Sequence, residues 1–393
     1  MEFNEVVIVS ACRTAIGEFL GSFKDVSASD LAAAVLTETV KRAGISPDLI
    51  DDVMLGCTCP DSAEVNIARV AALKAGFSYK VPGVTVHRVC TSGMETIDMG
   101  AAHIMLGNYD VVLAGGVENM SRVPFVLKNH RTGFKMMDDT LVDVLWEGMK
   151  GGSPMIMGLT AENLAEKYTI TREEQDDYAL RSNQCAQAAI ESGRFAEEIL
   201  PIQIPKGRGK FAEFKVDERP RFNLTAEALS ALPPTFKKGG TVTAANASGL
   251  NDGAAAVLLM SAAKARELGV KPLAKIRGGA VVAVEPEIMG YGPVPATEKV
   301  LKKTGLRLSD IGLIECNEAF AVQYLTCERL LGFPREITNV NGGAVALGHP
   351  VGCTGARIVV SLLHEMRRRC TSLGLATLCG GNGPARAMVI EAM

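Results

Sequence analysis

The chain repeats one succession of apolar strands and amphipathic helices, and this repetition constrains its fold more than any other feature. Residues 51–57, DDVMLGC, resemble residues 310–316, DIGLIEC. Residues 110–119, DVVLAGGVEN, resemble residues 374–383, GLATLCGGNG, in the same order along the chain. Strand-like and helix-like patterns alternate in both halves, which is typical of parallel strands covered by helices. The sequence therefore predicts a duplicated α/β domain.

The first half carries the clearest element signals. Short apolar runs predict strands, and apolar residues at helical spacing that end at a glycine predict helices. The predicted strands are 6–11, 51–57, 84–86 and 111–116, and the predicted helices are 30–43, 64–75 and 92–106. The second half is predicted to open with a strand at 274–284.

A charged, proline-bearing stretch interrupts the first half. Helical patterns begin at Thr160 and at Thr171, where TREE is a capping-box pattern, and a strand at 256–262 resumes the α/β rhythm. We expect a mainly helical inserted segment. The predicted domains are an N-terminal α/β half (1–120 plus 242–270), the insertion (121–241) and a C-terminal α/β half (271–393).

Composition narrows the class of protein. A length of 393 residues suits two or three domains, and a net charge of −3 gives no basic field for nucleic acid. The N-terminus does not resemble a secretory signal, and no stretch approaches the ~20 apolar residues of a membrane span. Ten scattered cysteines predict a reducing, cytoplasmic setting. Cys57 and Cys59 lack a second close pair with His, so we expect no metal site.

Four glycine-rich segments concentrate reactive side chains. Cys90 in HRVCTSGM lies between a predicted strand and a predicted helix, where free N–H groups favour a thiolate, so we interpret it as a nucleophile. His349 in GHPVG is equally compatible with a pocket residue and a hydrogen-bonded loop histidine. Taken alone, Cys379 is better explained as core packing. Asn317 follows a strand at its carboxyl end, where α/β proteins bind ligands, and the alternative interpretation is a turn asparagine.

Together these segments resemble the thiolase family over essentially the whole chain. The family motifs NxxCxSG, NEAF, GGxxxxGHPxGxxGAR and CGGGxG correspond here to HRVCTSG, NEAF, GGAVALGHPVGCTGAR and CGGNG. TVTAANASGLNDGAAA (241–256) and MGYGPVPA (289–296) also resemble thiolase signatures. The resemblance implies a duplicated five-layer α/β/α/β/α sandwich, with the inserted, mainly helical loop domain over a coenzyme A site.

The resemblance also implies roles for the reactive residues. Cys90 would carry the acyl group, His349 would accept its proton, and Cys379 would be the second acid/base at C2 of the attacking acyl-CoA. One oxyanion site would use the N–H groups of Cys90 and Gly381. The other would use His349 and a water held by Asn317.

The resemblance implies four substrate contacts as well. Ser248 would touch the pantetheine arm, Met289 and Met157 would line the acyl pocket, and Arg221 would lie near the nucleotide of coenzyme A. No metal or redox cofactor is implied, because coenzyme A is a substrate.

Three positions depart from the family pattern: His87, Met157 and Asn382. None of them removes a proton-transfer group. We expect His87 to affect the packing around Cys90, Asn382 to stiffen its turn, and Met157 to reshape the acyl pocket.

The leading hypothesis is an acetyl-CoA C-acetyltransferase of fatty acid metabolism, assembled as a homo-oligomer (a dimer or a homotetramer). Three alternatives remain at this point: a degradative 3-ketoacyl-CoA thiolase for longer chains, a ketoacyl synthase, and a non-catalytic thiolase-like protein that binds lipid or a partner. Both the acyl chain length of the substrate and the physiological direction of the reaction are left open by the sequence.

Overall fold

The computed structural model describes residues 3–128, 130–133, 135–136, 138–150 and 155–393. The strands are β1 (Val6–Thr14), β2 (Gly17–Glu18), β3 (Asp52–Gly56), β4 (Gly83–Val86), β5 (Val111–Asn119), β6 (Phe125–Val126), β7 (Val142–Asp143), β8 (Ile199–Leu200), β9 (Ile202–Pro205), β10 (Phe211–Phe214), β11 (Asn251–Ser261), β12 (Ala274–Ala283), β13 (Leu313–Cys316), β14 (Leu373–Cys379) and β15 (Pro384–Ala392). The α-helices are α1 (Ala28–Ala43), α2 (Ile67–Lys74), α3 (Ser92–Met105), α4 (Val144–Lys150), α5 (Met157–Tyr168), α6 (Arg172–Glu191), α7 (Ala226–Ser230), α8 (Ala262–Leu268), α9 (Pro293–Thr304), α10 (Ala321–Leu331), α11 (Ala344–Leu347) and α12 (Val351–Arg369).

The main sheet consists of two halves that meet at a narrow seam. The strand order is β13-β14-β15-β12 in one half and β1-β11-β5-β3-β4 in the other. The seam between β1 and β12 has only two registered pairs, Val7 with Lys275 and Ile8 with Ala274. The expectation of parallel strands is therefore only partly met. Strand β3 is parallel to β4 and to β5, and β13 is parallel to β14. The four central strands, in the order β11, β1, β12 and β15, each pair antiparallel with the next. At the two ends of this group, β11 pairs antiparallel with β5, and β15 pairs antiparallel with β14.

Alternate side chains of the strands enter different apolar cores, which gives the five predicted layers. In β1, Val7 belongs to the core beneath α1, whereas Ile8 belongs to the central core. In β14, Leu375 belongs to the core beneath α9, whereas Ala376 belongs to the same central core. The central core lies between the two sheet halves, and α3 and α12 fill it. The order of layers is thus helix, sheet, helix, sheet, helix.

The two central helices touch at glycines. A Cβ built on Gly355 would lie 2.4 Å from the backbone nitrogen of Met94, and one built on Gly93 would lie 2.8 Å from that of Ala356. Real Cβ atoms do not approach backbone this closely, so the crossing of α3 and α12 requires glycine at both positions. Since α3 and α12 both start near reactive residues, this contact fixes the distance between those residues.

The inserted segment leaves the sheet after β5, touches it where β8 pairs parallel with β1, and rejoins it through β11. Its longest helix, α6, begins with the predicted capping box: Thr171 accepts from the N–H of Glu174, and Glu174 accepts from the N–H of Thr171. Strand β11 then pairs with both β1 and β5, so the chain rejoins the N-terminal half. Among the described residues, no helix is long and apolar enough to span a membrane.

Candidate active site

Cys90 lies in a tight turn between β4 and α3, where the sequence predicts it. The preceding residue, Val89, has φ of 49°, a conformation that a β-branched residue rarely adopts. Ser92 fastens the turn, because its hydroxyl donates to the carbonyl of Val89 at 2.6 Å and accepts from the N–H of Arg88 at 2.8 Å. This turn places Cys90 at the edge of two cavities.

The surroundings of Cys90 favour the protonated thiol in the resting protein. Burial raises the pKa of the Cys90 thiol to about 11, although the backbone N–H groups of Gly381 and of Cys90 itself act in the opposite direction. The charge of Glu118 contributes to this increase of the pKa. A thiol of this kind needs a base within reach when it attacks a carbonyl carbon.

His349 has the free nitrogen that such a base requires. Its Nδ1 lies 2.7 Å from the hydroxyl of Thr354, which itself donates to the carbonyl of Pro350 at 2.8 Å. The hydroxyl therefore accepts from Nδ1–H, and Nε2 is left with a lone pair and no hydrogen-bond partner among the described residues. Burial, and then the charge of Arg357, lowers the pKa of His349 to about 3, so the imidazole is neutral at rest.

The backbone around His349 is held in the irregular form predicted from GHP. Helix α11 ends at Leu347, α12 begins at Val351, and His349 lies between them. Asn251 accepts from the N–H of His349 at 2.9 Å. Gly348 has φ of 108°, and a Cβ there would lie 2.5 Å from the Asn251 side chain. The turn thus depends on glycine and on this asparagine.

Cys379 and Gly381 approach Cys90 from the end of β14. Burial, and then the neighbouring Cys90, raises the pKa of the Cys379 thiol well above its usual value. The turn that follows is closed by the N–H of Gly380, which donates to the carbonyl of Pro384 at 2.7 Å. A Cβ on Gly380 would lie only 3.5 Å from the nitrogen of Cys90, so the two turns lie side by side.

Asn317 follows β13, at the end where the sequence placed it. Its N–H donates to the carbonyl of Thr377 at 2.9 Å, and its side chain is buried. Neither atom of the side-chain amide has a hydrogen-bond partner among the described residues. A buried amide without a protein partner is the kind of group that holds a water molecule or a substrate atom.

Two cavities meet at Cys90. The first, which we call the Ser248 cavity, has a volume of about 300 Å³ and also reaches His349, Met289 and Phe320. The second, the Leu145 cavity, has a volume of about 350 Å³ and extends the other way, to Cys59, His87, Leu145 and Asn382. Both volumes lie at the lower end of the range for small-molecule sites. Cys90, Met157 and Gly381 border both cavities, so an acyl group on Cys90 has apolar space on two sides.

The wall of the Ser248 cavity is tied to the reactive segments. The N–H of Ser248 donates to the carbonyl of Ala319 at 3.0 Å. The buried guanidinium of Arg219 bridges the carbonyls of Ala247 at 3.0 Å and Val345 at 3.2 Å, and burial lowers the pKa of Arg219 to about 10. Ser248 is thereby held beside the segment that leads to His349.

Some of the site residues predicted from the sequence line the two cavities, and others do not. Cys90, His349, Gly381, Ser248, Met289 and Met157 line the cavities. Cys379 and Asn317 are buried and do not line either cavity, although the Cys379 thiol lies close enough to feel the charge of Cys90. Arg221 lies outside both linings; its N–H donates to the side chain of Asn183 at 3.1 Å, and its contact with a nucleotide remains a prediction.

The three departures from the family pattern lie around the Leu145 cavity. His87 and Asn382 line this cavity alone, and Met157 lines both. The Nδ1 atom of His87 accepts from the N–H of Val89 at 3.4 Å, so His87 contacts the turn before Cys90 as expected. Asn382 has φ of 64°, a conformation that asparagine tolerates better than most residues.

Several functional residues escape sequence reasoning. Thr354, which sets the tautomer of His349, stands in GCTGAR and was visible only as part of a motif. Val89 carries no sequence signal for its positive φ. Trp146 lines the Ser248 cavity from α4, far along the chain from the motifs, and only the fold brings it there.

Protein-family models and known relatives match both halves of the chain. A family model described as "Thiolase, N-terminal domain" matches residues 6–263, and one described as "Thiolase, C-terminal domain" matches residues 270–392. An acetyl-CoA acetyltransferase of Pseudomonas aeruginosa is 50% identical over 392 residues, which cover 98% of this chain and 99% of that protein. One from Escherichia coli is 50% identical over 388 residues, which cover 98% of each chain.

Solved structures agree over the full length. The Bacillus anthracis acetyl-CoA acetyltransferase superposes with a TM-score of 0.98 at 51% identity and covers 100% of both chains. Human mitochondrial 3-ketoacyl-CoA thiolase in complex with CoA superposes with a TM-score of 0.96 at 42% identity, and covers 99% of this chain and 98% of that one.

Proposed function

This chain belongs to the thiolase family, and on that premise we propose that it is an acetyl-CoA C-acetyltransferase. The reaction joins two acyl-CoA molecules into a 3-oxoacyl-CoA and free coenzyme A, and it runs in both directions. One observation carries the proposal more than any other. His349 has a buried, unpartnered Nε2 in the same cavity that exposes Cys90, so a base and a thiol face one bound carbonyl group.

In the first half-reaction, the sulfur of Cys90 attacks the thioester carbonyl of acetyl-CoA while Nε2 of His349 takes the thiol proton. The oxygen that becomes negative accepts from the N–H groups of Cys90 and Gly381, which already point toward the sulfur. The C–S bond to coenzyme A then breaks. The leaving thiolate takes the proton of Cys379, which leaves an acetyl-Cys90, a protonated His349 and a Cys379 thiolate.

In the second half-reaction, the Cys379 thiolate removes a proton from C2 of a second acetyl-CoA. The enolate oxygen is stabilised by protonated His349 and by a water on the amide of Asn317. The C2 carbon attacks the acetyl group, and the C–S bond to Cys90 breaks as His349 returns the proton to sulfur. All three groups end in their starting state, so the cycle closes.

This cycle needs no metal or redox cofactor, because each step is a proton transfer or an exchange at a thioester. Coenzyme A enters as a substrate. Ser248 and Met289 are the residues we assign to the pantetheine arm and the acyl pocket, since both line the Ser248 cavity. Arg221 remains our assignment for the nucleotide, supported only by the family resemblance.

The proposal is tested by following both directions in the purified protein. We expect condensation of acetyl-CoA and thiolysis of acetoacetyl-CoA, and we expect Cys90→Ala to abolish both without lowering the temperature of unfolding. A folded Cys90→Ala protein that still turns over would refute the mechanism. An inactive wild-type protein that binds acyl-CoA would favour the non-catalytic alternative.

The Leu145 cavity favours a second candidate, a 3-ketoacyl-CoA thiolase that accepts longer chains. Its volume of about 350 Å³ exceeds what a two-carbon acetyl group needs, and its walls include the adaptable side chains of Met149 and Met157. Thiolysis rates along a ladder of 3-oxoacyl-CoA substrates distinguish the two. A steep preference for acetoacetyl-CoA supports the acetyltransferase, whereas a flat or rising profile supports the broad-range enzyme.

A matched variant makes this test sharper. A Cβ on Gly148 would point into the Leu145 cavity, with its nearest neighbour, the sulfur of Cys59, 3.9 Å away. Gly148→Val should therefore reduce thiolysis of long substrates and leave acetoacetyl-CoA unaffected. If long and short substrates lose rate equally, the cavity does not hold the acyl chain.

We infer further that the chain assembles as a homotetramer. Support comes from four large apolar side chains that are exposed around the β6–β7 hairpin: Phe125, Leu127, Leu141 and Trp146 are 58%, 46%, 59% and 44% exposed. Such a cluster is typical of a surface covered by another chain. Light scattering should give four times the chain mass, and Phe125→Ser with Leu141→Ser should lower it. A monomeric or dimeric wild-type protein would contradict the inference.

We place the enzyme in the cytoplasm and in fatty acid metabolism. All ten cysteines are free thiols, which suits a reducing compartment. The proposed substrates are thioesters of coenzyme A with short acyl chains, which are intermediates of fatty acid synthesis or breakdown. Fractionation of the native cell tests the location directly.

A further inference from the structure

Glu118, which the sequence did not single out, is a buried carboxylate beside the nucleophile. It stands at the end of β5 with no exposed surface and lines the Leu145 cavity together with Cys90. Its Oε2 accepts from the N–H of Gly352 at 2.7 Å and from the hydroxyl of Thr58 at 2.6 Å, and its Oε1 accepts from the N–H of Cys59 at 3.0 Å. Each of these partners is a donor, as an ionised carboxylate requires.

These bonds join three elements at one point. Thr58 and Cys59 follow β3, whereas Gly352 is in the first turn of α12, three residues after His349. A Cβ on Gly352 would lie 2.8 Å from Oε2 of Glu118, so the close approach needs a glycine. A negative charge at this place also stabilises the N-terminus of α12. The carboxylate therefore fixes the start of α12 and, through it, the turn that carries His349.

The same charge acts against the thiolate of Cys90. The titratable groups around Cys90 are His349 and Cys379 across the site, and Cys59, His87, Glu118 and Glu147 along the Leu145 cavity. Among these groups only Glu118 contributes a charge that raises the pKa of Cys90. An uncharged residue of the same shape would have no such effect.

We propose that Glu118 is a positioning residue of the acyl-transfer reaction: it holds His349 in place against Cys90 through the start of α12. The inference rests on the proposed thiolase reaction. It predicts that removing the charge makes the thiol easier to ionise and yet makes the enzyme slower. Loss of an uncharged structural contact would not produce both changes.

The experiment compares three variants of the full-length protein. Glu118→Gln removes the charge and places an amide NH₂ opposite N–H donors. Glu118→Asp keeps the charge but is too short to reach the same partners. Glu64→Gln is the matched control, since Glu64 is also buried and accepts from the N–H of Ser29, but lies in the core of α1 and α2, away from both cavities.

Two quantities are measured for each variant: kcat for thiolysis of acetoacetyl-CoA, and the rate at which iodoacetamide alkylates Cys90 as a function of pH, followed by peptide mass spectrometry. We expect Glu118→Gln to lose about 100-fold in kcat, the scale of a small misplacement of a catalytic group, and to shift its alkylation profile to lower pH. Glu118→Asp should lose kcat without the shift. Glu64→Gln should match the wild type in both.

The proposal is overturned if Glu118→Gln keeps kcat within about threefold of the wild type, or if its alkylation profile does not move. Should Glu118→Gln fail to fold, Glu118→Asp decides, because undiminished kcat there would also refute the positioning role. Alkylation needs no acyl transfer, so failure of the proposed function would appear separately, as a wild-type protein that is alkylated at Cys90 but never turns over.

Discussion

Helices α3 and α12 pack against each other in the central layer, and each begins next to a reactive residue, Cys90 in one case and His349 in the other. The N–H groups at their starts have different partners. Just before α3, the backbone N–H of Cys90 points toward its own sulfur. At α12 the N–H of Gly352 is taken by the carboxylate of Glu118.

The difference shows how a duplicated architecture supports two unlike roles. The N–H of Cys90, just before α3, is placed to stabilise the oxyanion that forms during acyl transfer. At the start of α12 the N–H of Gly352 is occupied by Glu118, and His349 is neutral with the lone pair of Nε2 free. The glycine crossing between the helices then sets the distance between the two turns.

The largest effect should come from removing the proposed base, His349, because the turn before α12 then loses the group that accepts the proton of Cys90. We expect His349→Asn to slow both directions by about 10³-fold, within the range of one acid/base contribution. Steady-state thiolysis of acetoacetyl-CoA is the measurement. A loss of less than about tenfold would mean that another group takes the proton of Cys90.

Cys379 tests whether the two half-reactions are separable. Cys379→Ser should still allow acetyl-CoA to acylate Cys90, because the coenzyme A thiolate can leave before it is protonated and then take a proton from water. Condensation should slow by about 10²-fold, because a serine is a much weaker base at C2. Rapid-quench mass spectrometry measures acylation, and product formation measures condensation. If acylation itself disappears in the folded variant, the proposed division of roles is wrong.

The helix crossing tests whether the two turns depend on one contact. Gly355→Ala forces a methyl group against the backbone of Met94, and we expect it to lower the free energy of unfolding by about 1–3 kcal/mol, together with a reduction in kcat. Gly253→Ala is the control, because its Cβ would meet its nearest neighbour, Pro350, at an ordinary 3.4 Å. Equal stability of the two variants in urea would contradict the crossing's role.

The smallest expected effect is on how the free energy of unfolding depends on pH. His349 has its pKa lowered to about 3 in the folded protein, whereas an unfolded histidine titrates near its usual value of about 6.5. Above that value both states are neutral, and the stability is fully present. As the pH falls below it, the unfolded state binds a proton that the folded state refuses, so stability declines by up to about 1.4 kcal/mol per pH unit.

His349→Asn removes this contribution. Between pH 6.5 and 5 its free energy of unfolding should therefore fall less steeply than that of the wild type, by about 1–2 kcal/mol over the interval. Urea titrations at matched pH values give both slopes. Identical slopes would mean that the buried His349 binds a proton in the folded protein as readily as in the unfolded one.

The sequence predicts the elements well because their signals are local. Helix α1 spans Ala28–Ala43 where 30–43 is predicted, and α6 starts at the predicted capping box. Helix α2 begins at Ile67, three residues later than predicted, because Asn66 caps it by accepting from the N–H of Arg69. A helix boundary depends on the cap that the fold selects, and periodicity alone does not give it.

The two sequence matches that indicate the repeat do not share one register in the structure. Matching 51–57 with 310–316 makes Met54 equivalent to Leu313. Met54 pairs with Ala114 and Leu313 pairs with Gly374, so Ala114 corresponds to Gly374. The sequence match instead aligned Asp110 with Gly374, a slip of four residues. Short strands of small apolar residues carry no side chain that marks the register.

The candidate site likewise contains residues that the sequence predicts and residues that it does not. Cys90, His349, Asn317 and Cys379 are predicted as site residues because motifs mark them. Glu118 and Thr354 were not, because their importance comes from hydrogen bonds to distant or backbone partners that the sequence does not display. Positioning residues of this kind are visible only once the fold has brought the donors together.

Intact-mass spectrometry of the protein after brief exposure to acetyl-CoA tests the central claim most directly. The account predicts an increase by one acetyl group, located on Cys90 by peptide mapping, lost on addition of free coenzyme A and absent from Cys90→Ala. An active wild-type protein that never shows the adduct, or an adduct on another residue, would contradict the covalent mechanism.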